Sequence, residues 1–130
     1  MPILFRQTAG VLNATSGSWA PMAGLNFTLP VTSGSLNQAL ITLTVPNPYA
    51  TGSNNPGGMF GISVNGAALV PFACFTYCEK APPTFGRMPT SLQVLVKLTN
   101  NTQAVSAIWQ SVRGSNVIID TPASLSAIIT

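Results

Sequence analysis

Two charged side chains lie close together near the end of a sequence that has few of them. The segment SVRGSNVIID, residues 111–120, contains Arg113 and Asp120, in a chain of 130 residues with five Lys and Arg and two Asp and Glu. A guanidinium donates several hydrogen bonds from a fixed fork and an ionised carboxylate accepts them, so together they can bind adjacent hydroxyl groups of a neutral ligand. A structural ion pair and a catalytic pair are the alternatives.

The spacing of this pair limits how it can act. If residues 113–120 formed one extended strand, the two side chains would lie about 23 Å apart on opposite faces. Gly114 must therefore permit a turn or bulge if Arg113 and Asp120 are to share a ligand.

The remaining chemistry argues against an enzyme. The chain has no histidine, so neither a Ser-His-acid nor a Cys-His arrangement can be built. Glu79 is the only other acid, and beside Lys80 it is typical of a solvated surface charge. The segment GSNNPGG, residues 52–58, lacks the Lys-Ser/Thr of a phosphate loop. We predict no catalysis, no metal and no cofactor.

The composition predicts short strands and a partner. Charged residues make up only 5% of the chain, which leaves little to cover the outside of a monomer. Large exposed apolar patches usually mark an interface, so we expect a homo-oligomer. The apolar final run, residues 123–130, would be covered by the same strand of neighbouring subunits in a trimer, although a buried strand of a monomer would look alike.

Nucleic-acid binding and membrane insertion are not predicted. A net charge of +3 rests on cations scattered along the whole chain, whereas nucleic-acid binding needs a clustered positive surface. The most apolar stretch, residues 67–75, is far shorter than the roughly 20 residues of a membrane span. The start, MPILFRQT, lacks the features of a signal peptide, so we expect a soluble protein, either released or held at the cell surface by a non-classical route.

Period-two alternation predicts strands throughout a single domain, residues 1–130. The run 91–99 places Leu92, Val94, Val96 and Leu98 on one face, and the run 38–45 places Ile41, Leu43 and Val45 inside. Further strands are predicted over 3–8, 25–31, 59–65, 68–78, 103–112, 116–120 and 123–129. Pro- and Gly-rich turns separate them, over 47–58 and 80–89. The pattern favours an all-β antiparallel sandwich, either a jelly roll or an Ig-like fold.

Two cysteines and two tyrosines complete the inventory. Cys74 and Cys78 in one strand would lie about 13 Å apart, too far for a disulfide, and we interpret them as small buried hydrophobes. Tyr49 and Tyr77 could stack on the C–H faces of a sugar whose hydroxyls Arg113 and Asp120 bind, although Tyr77 could equally be half core.

Five strings, in this order and spacing, carry a resemblance to a known family. They are VPNPYATGSNNPG (45–57), CFTY (74–77), GRMP (86–89), W-x-SVRGS (109–115) and ASLSAI (123–128). Together they closely resemble the bacterial TNF-like fucose-binding lectins, of the N-terminal domain type found in two-domain superlectins. The resemblance implies a TNF/C1q-like jelly roll, a homotrimer, and metal-free sites between subunits for fucosylated, histo-blood-group or Lewis-type glycans on cell surfaces.

The resemblance also implies which residues bind the sugar: Tyr49, Tyr77, Thr84, Arg87, Arg113, Asp120 and Thr121. Two positions depart from the family pattern, because Met59 replaces a binding tyrosine and Phe85 replaces one hydroxyl residue of a Ser-Thr pair. Galactose-like or other deoxy sugars therefore stay open beside fucose. Two other functions share the apolar faces and the lack of catalytic groups: a structural jelly-roll subunit of a large assembly, and a TNF-like ligand of a protein receptor.

Overall fold

In the computed structural model, which describes residues 1–77 and 87–130, every regular element of the described chain is a β-strand. In chain order the strands are β1 Ile3–Gln7, β2 Leu12–Ala14, β3 Ala20–Leu29, β4 Gln38–Val45, β5 Tyr49–Thr51, β6 Gly57–Val64, β7 Ala67–Ala68, β8 Ala73–Thr76, β9 Thr90–Lys97, β10 Gln103–Val112, β11 Asn116–Ile119 and β12 Ser124–Ile129. No helix within the described residues is long and apolar enough to cross a membrane.

The first sheet has the strand order β1-β12-β4-β9, with every neighbouring pair antiparallel. Its inner face carries the alternation predicted for β4 and β9, since Ile41 and Leu43 are fully buried and Leu92 and Val94 nearly so. The polar alternate positions of β9 are exposed.

The second sheet has the order β3-β10-β6-β7, and β8 also pairs with β6. Its inner face carries an aromatic stack that fills the space between the sheets. The Phe60 ring lies 6.1 Å from that of Phe75 and 6.2 Å from that of Trp109, both in stacked geometry. The antiparallel all-β sandwich predicted from the sequence, of jelly-roll type, is confirmed.

A third, smaller sheet positions the residues of interest. It has the order β2-β11-β5, and its register places Ile118 opposite Tyr49 and Asn116 opposite Thr51. Arg113 precedes the central strand β11 and Asp120 follows it. The sheet therefore fixes these two charged residues at opposite ends of one short strand.

The glycine-rich run at the start of β6 is a packing point. A Cβ on Gly57 would lie 2.3 Å from the Phe75 carbonyl oxygen, and one on Gly58 would lie 2.6 Å from a Val117 methyl group. Only glycine allows β6 to approach β8 and β11 this closely, because these neighbours are backbone or buried side chain. The structure thus gives the GG of GSNNPGG a structural role.

The structure corrects three details of the sequence prediction. Strands β2 and β5 were not predicted, and the run predicted over 68–78 is two strands, β7 and β8, separated by residues 69–72 with Pro71. Cys74 is exposed, so its interpretation as a buried hydrophobe is wrong. The cause is the alternation of β8, because Phe75 faces the core and its neighbour must face outward. Cys78 lies outside the described residues.

The outer face of the first sheet carries an apolar row that crosses all four strands. The register aligns Ile3 with Ile128, Ile128 with Leu40, and Leu40 with Leu95. Ile3 is 66% exposed and Leu95 is 64% exposed, and Phe5 follows in the next row at 53%. Such a continuous apolar surface is typical of an interface.

Candidate functional site

Asp120 forms an ion pair with Arg87, not with Arg113. The two Arg87 terminal nitrogens donate to the two Asp120 carboxylate oxygens in a bidentate pair, and the Nη2–Oδ2 distance is 3.0 Å. Asp120 follows β11, and Arg87 stands three residues before β9. The Arg87 and Asp120 side chains remain 36% and 31% exposed, so both groups can also contact a ligand.

Tyr49 places an aromatic ring beneath this pair. The Arg87 guanidinium carbon lies 4.4 Å from the centre of the Tyr49 ring, which is a cation–π contact. Tyr49 is the first residue of β5, and it pairs with Ile118 of β11, the strand that Asp120 follows. The turn-rich segment therefore contributes a short strand whose first side chain forms the floor of the cluster.

Thr121 and Asn47 extend the cluster with uncharged polar groups. The Thr121 hydroxyl lies 3.4 Å from an Asp120 carboxylate oxygen, to which it donates. It accepts a hydrogen bond of 3.3 Å from the Asn47 side-chain amide. We call Tyr49, Arg87, Asp120 and Thr121, with the added Asn47, the Arg87 cluster.

Arg87 and Asp120 shift each other's pKa values. The hydrogen bond from Arg87 lowers the pKa of Asp120 below its usual value, and the same bond raises the pKa of Arg87. Burial raises the pKa of Tyr77, and the nearby charge of Arg87 partly offsets this effect. Both members of the pair are therefore ionised at neutral pH.

Among the described residues, Arg113 is held by a second set of groups, all of them uncharged. Its Nε donates to the Asn55 carbonyl oxygen at 2.9 Å and its Nη2 donates to the same oxygen at 2.6 Å. Nη2 also contacts the Thr76 hydroxyl, and Nε lies 3.3 Å from the Asn54 carbonyl oxygen. We call Arg113 with Asn54, Asn55 and Thr76 the Arg113 cluster.

Backbone geometry supports this second cluster. Arg113 and Asn55 both have positive φ, 51° and 44°, and Gly114 follows at 68°, so a turn precedes β11 as the sequence required. The Ser115 hydroxyl is buried and lies 2.7 Å from the carbonyl oxygens of Gly57 and Val112. It ties the turn that carries Arg113 to the start of β6.

The two clusters lie at opposite ends of β11 and are linked through adjacent residues of the segment CFTY. Thr76 contacts Arg113, while Tyr77 feels the charge of Arg87 and has its ring 6.1 Å from Phe75 in an edge contact. Tyr77 is half-buried and packs against the core, so the half-core interpretation of this tyrosine holds. Among the described residues, Asp120 forms its ion pair with Arg87, so Arg113 and Asp120 are not a structural pair.

Sequence reasoning named most of these residues but missed four. Asn47, Asn54, Asn55 and Thr76 lie within strings that carry the family resemblance, yet they were not singled out. Their contacts with Thr121 and Arg113 identify them as members of the two clusters, and these contacts join residues far apart in the sequence. Thr84 lies outside the described residues, as does Phe85.

The arrangement is suited to binding hydroxyl groups. It offers a carboxylate, two guanidinium groups, a threonine hydroxyl and an aromatic ring, and charge-assisted hydrogen bonds to such groups are strong. Within the described part of the chain, no three His, Cys, Asp or Glu side chains group together as metal ligands.

A protein-family model matches almost the whole chain. The family model described as "Bc2l-C, N-terminal domain" matches residues 7–128, which is nearly the whole chain. The curated proteins contain no match.

Proposed function

Because this chain belongs to the Bc2l-C N-terminal domain family, a family of lectins, we propose that it binds fucose or fucosylated glycans of the histo-blood-group or Lewis type. We propose further that the binding sites lie between the subunits of a homotrimer, and that binding proceeds without catalysis.

The observation that carries this proposal is the Arg87 cluster. Four of the residues expected to bind sugar, Tyr49, Arg87, Asp120 and Thr121, come from separate parts of the chain and meet at one end of the small sheet. A chain with 5% charged residues thus keeps one cation in contact with both an acid and an aromatic ring.

The chemistry of the cluster suits a saccharide. Two vicinal hydroxyls can donate to Asp120 and accept from Arg87, and the partly exposed pair leaves donor and acceptor capacity for both. The C–H face of a deoxy sugar such as fucose can pack on a tyrosine ring. Arg113 supplies a second guanidinium, which contacts Thr76, the residue before Tyr77.

The apolar row supports the proposed trimer. Ile3, Ile128, Leu40 and Leu95 form a hydrophobic face on the β1-β12-β4-β9 sheet that water would otherwise contact. A symmetric trimer buries one such face from each subunit around the axis. Assembly would also place three glycan sites on one particle, and linked sites raise avidity by about 10²–10⁴ on a glycan-coated surface.

A glycan array tests the function directly. The purified protein should bind fucosylated glycans above all others, and a clear preference for galactose-like or other deoxy sugars would revise the sugar while keeping the lectin. A protein that binds no glycan on the array would refute the proposal and leave the structural subunit and the receptor ligand as explanations.

Light scattering tests the trimer separately. The wild type should have the mass of three chains, whereas Leu95→Asp should be monomeric because it would bury an unpaired charge in the interface. Val11→Asp is the matched control, since Val11 is a similarly exposed apolar residue, at 68%, outside the first sheet. A monomeric wild type, or a trimeric Leu95→Asp, would contradict the proposed interface.

A further inference from the structure

A groove on the outer face of the second sheet lies away from both clusters. It has a volume of about 340 Å³ and is formed by β3, β6, β7 and β10 together with the residue that precedes β3. Its lining includes Trp19, Ser63, Ala68 and Ser106. None of the residues of the Arg87 cluster or the Arg113 cluster lines it.

A half-buried indole forms one wall of this groove. A Cβ on Gly61 would lie 3.3 Å from Cη2 of Trp19, so the indole lies directly over the glycine and beside Ile108. Phe72, which is 45% exposed, contacts Trp19 edge to face with ring centres 5.8 Å apart. Trp19 is half-buried and packed against Phe72, so part of an aromatic surface is available at the groove.

Two serine hydroxyl groups form the polar part of the groove lining. The Ser63 hydroxyl donates to the Ser106 carbonyl oxygen at 3.3 Å, and the Ser106 hydroxyl donates to the Ala107 carbonyl oxygen at 3.2 Å. Because each hydroxyl proton is used in a bond to a carbonyl oxygen, both hydroxyl oxygens have lone pairs available to a ligand. The groove therefore favours a molecule that donates hydrogen bonds.

Charge and size narrow the class of ligand. Of the described residues that line the groove, none carries an ionisable side chain, so a charged ligand would lose its hydration without compensation. The volume lies at the low end of the roughly 300–1,000 Å³ typical of small-molecule sites, which suits one ring. We infer that the Trp19 groove binds one ring of a neutral carbohydrate, as a second site independent of the Arg87 cluster.

Nuclear magnetic resonance of the two indole N–H groups tests this inference. The chain has two tryptophans, and Trp109 is only 4% exposed, so its signal serves as an internal control. The probes are methyl α-L-fucoside, methyl β-D-galactoside and methyl α-D-mannoside, titrated to about 50 mM because a single small site binds in the millimolar range, near −4 kcal/mol. We expect at least one probe to shift the Trp19 signal while the Trp109 signal stays in place.

Variants test whether the shift of the Trp19 signal comes from binding in the groove. Ala68→Leu fills the groove from an exposed position, and Ser63→Ala with Ser106→Ala removes both acceptors; each should weaken the Trp19 response at least about tenfold. Thr28→Ala, an exposed hydroxyl on the same sheet outside the groove, should leave it unchanged. Arg87→Ala should also leave it unchanged, which separates this site from the one proposed above.

Two results would overturn the inference. One is a Trp19 signal that none of the three probes shifts. The other is a shift that persists at full size in both Ala68→Leu and the Ser63/Ser106 double variant, since the probe would then bind elsewhere.

Discussion

The two guanidinium groups at the ends of β11 are held in opposite ways. Arg87 is bound to a carboxylate and lies over the Tyr49 ring, so its charge is matched by a partner. Arg113 is bound to backbone carbonyl oxygens and a hydroxyl, all of them neutral acceptors. Within residues 1–77 and 87–130, one arginine is therefore half of a donor–acceptor pair and the other is held by neutral acceptors.

The surroundings of the two arginines also differ. Arg113 sits on a turn with positive φ, and its contacts with Asn55 and Thr76 join that turn to two other segments. Removing its side chain would release the backbone around residues 54–57 as well as the ligand contact. Removing Arg87 would leave Asp120 unpaired but still partly solvated.

The largest effect is expected at Arg113. Arg113→Ala should weaken glycan binding by more than about 100-fold, because hydrogen bonds to a charged group contribute about 1.5–3 kcal/mol and Thr76, the neighbour of Tyr77, loses its contact with the turn. Titration calorimetry with the best glycan from the array measures the change, and light scattering should show an intact trimer. Hydrogen exchange of residues 52–58 should become faster.

Arg6→Ala is the control for this variant. Arg6 is an exposed guanidinium outside both clusters, and the bond described for it goes to the carbonyl oxygen of its neighbour Phe5. Arg6→Ala should bind as the wild type does. If Arg113→Ala retained binding within about threefold of the wild type, a difference below 1 kcal/mol, Arg113 would have no part in the site.

A smaller effect is expected for the paired arginine. Arg87→Ala and Asp120→Asn should each weaken binding by about tenfold, near 1.4 kcal/mol, because each removes one side of the donor–acceptor pair. The double variant should bind the glycan about as strongly as either single variant, because the two groups act as a unit. Strict additivity in this double-mutant cycle would show that the ligand contacts Arg87 and Asp120 independently.

The fold could be predicted because alternation is a local signal. Leu92 and Val94, or Ile41 and Leu43, mark their strands by spacing alone, and the structure buries all four. Strand β5 escaped prediction because its three residues lie in a turn-rich segment and depend on pairing with β11. Cys74 was misjudged because residue type was given more weight than its parity with Phe75.

The site was harder to predict because its contacts are long-range. Asp120 and Arg87 are 33 residues apart in the sequence, and Arg113 and Asn55 are 58 residues apart. No local sequence pattern encodes such partners. Only the family resemblance brought Arg87 into consideration. Neighbours without an obvious charge, such as Asn47, became visible only through their contacts.

The smallest effect concerns the protonation of Asp120. Because the bond from Arg87 lowers the pKa of Asp120, the pair should persist as pH falls past the ordinary carboxyl value of about 3.9, and break only when the pH falls through the lowered pKa. Carbon-13 resonance of the Asp120 carboxyl group measures this midpoint. Arg87→Ala should raise it towards the ordinary value, whereas Arg113→Ala should leave it in place. A midpoint that moved with Arg113 instead would mean that the acid is paired in solution with the cation at the other end of β11.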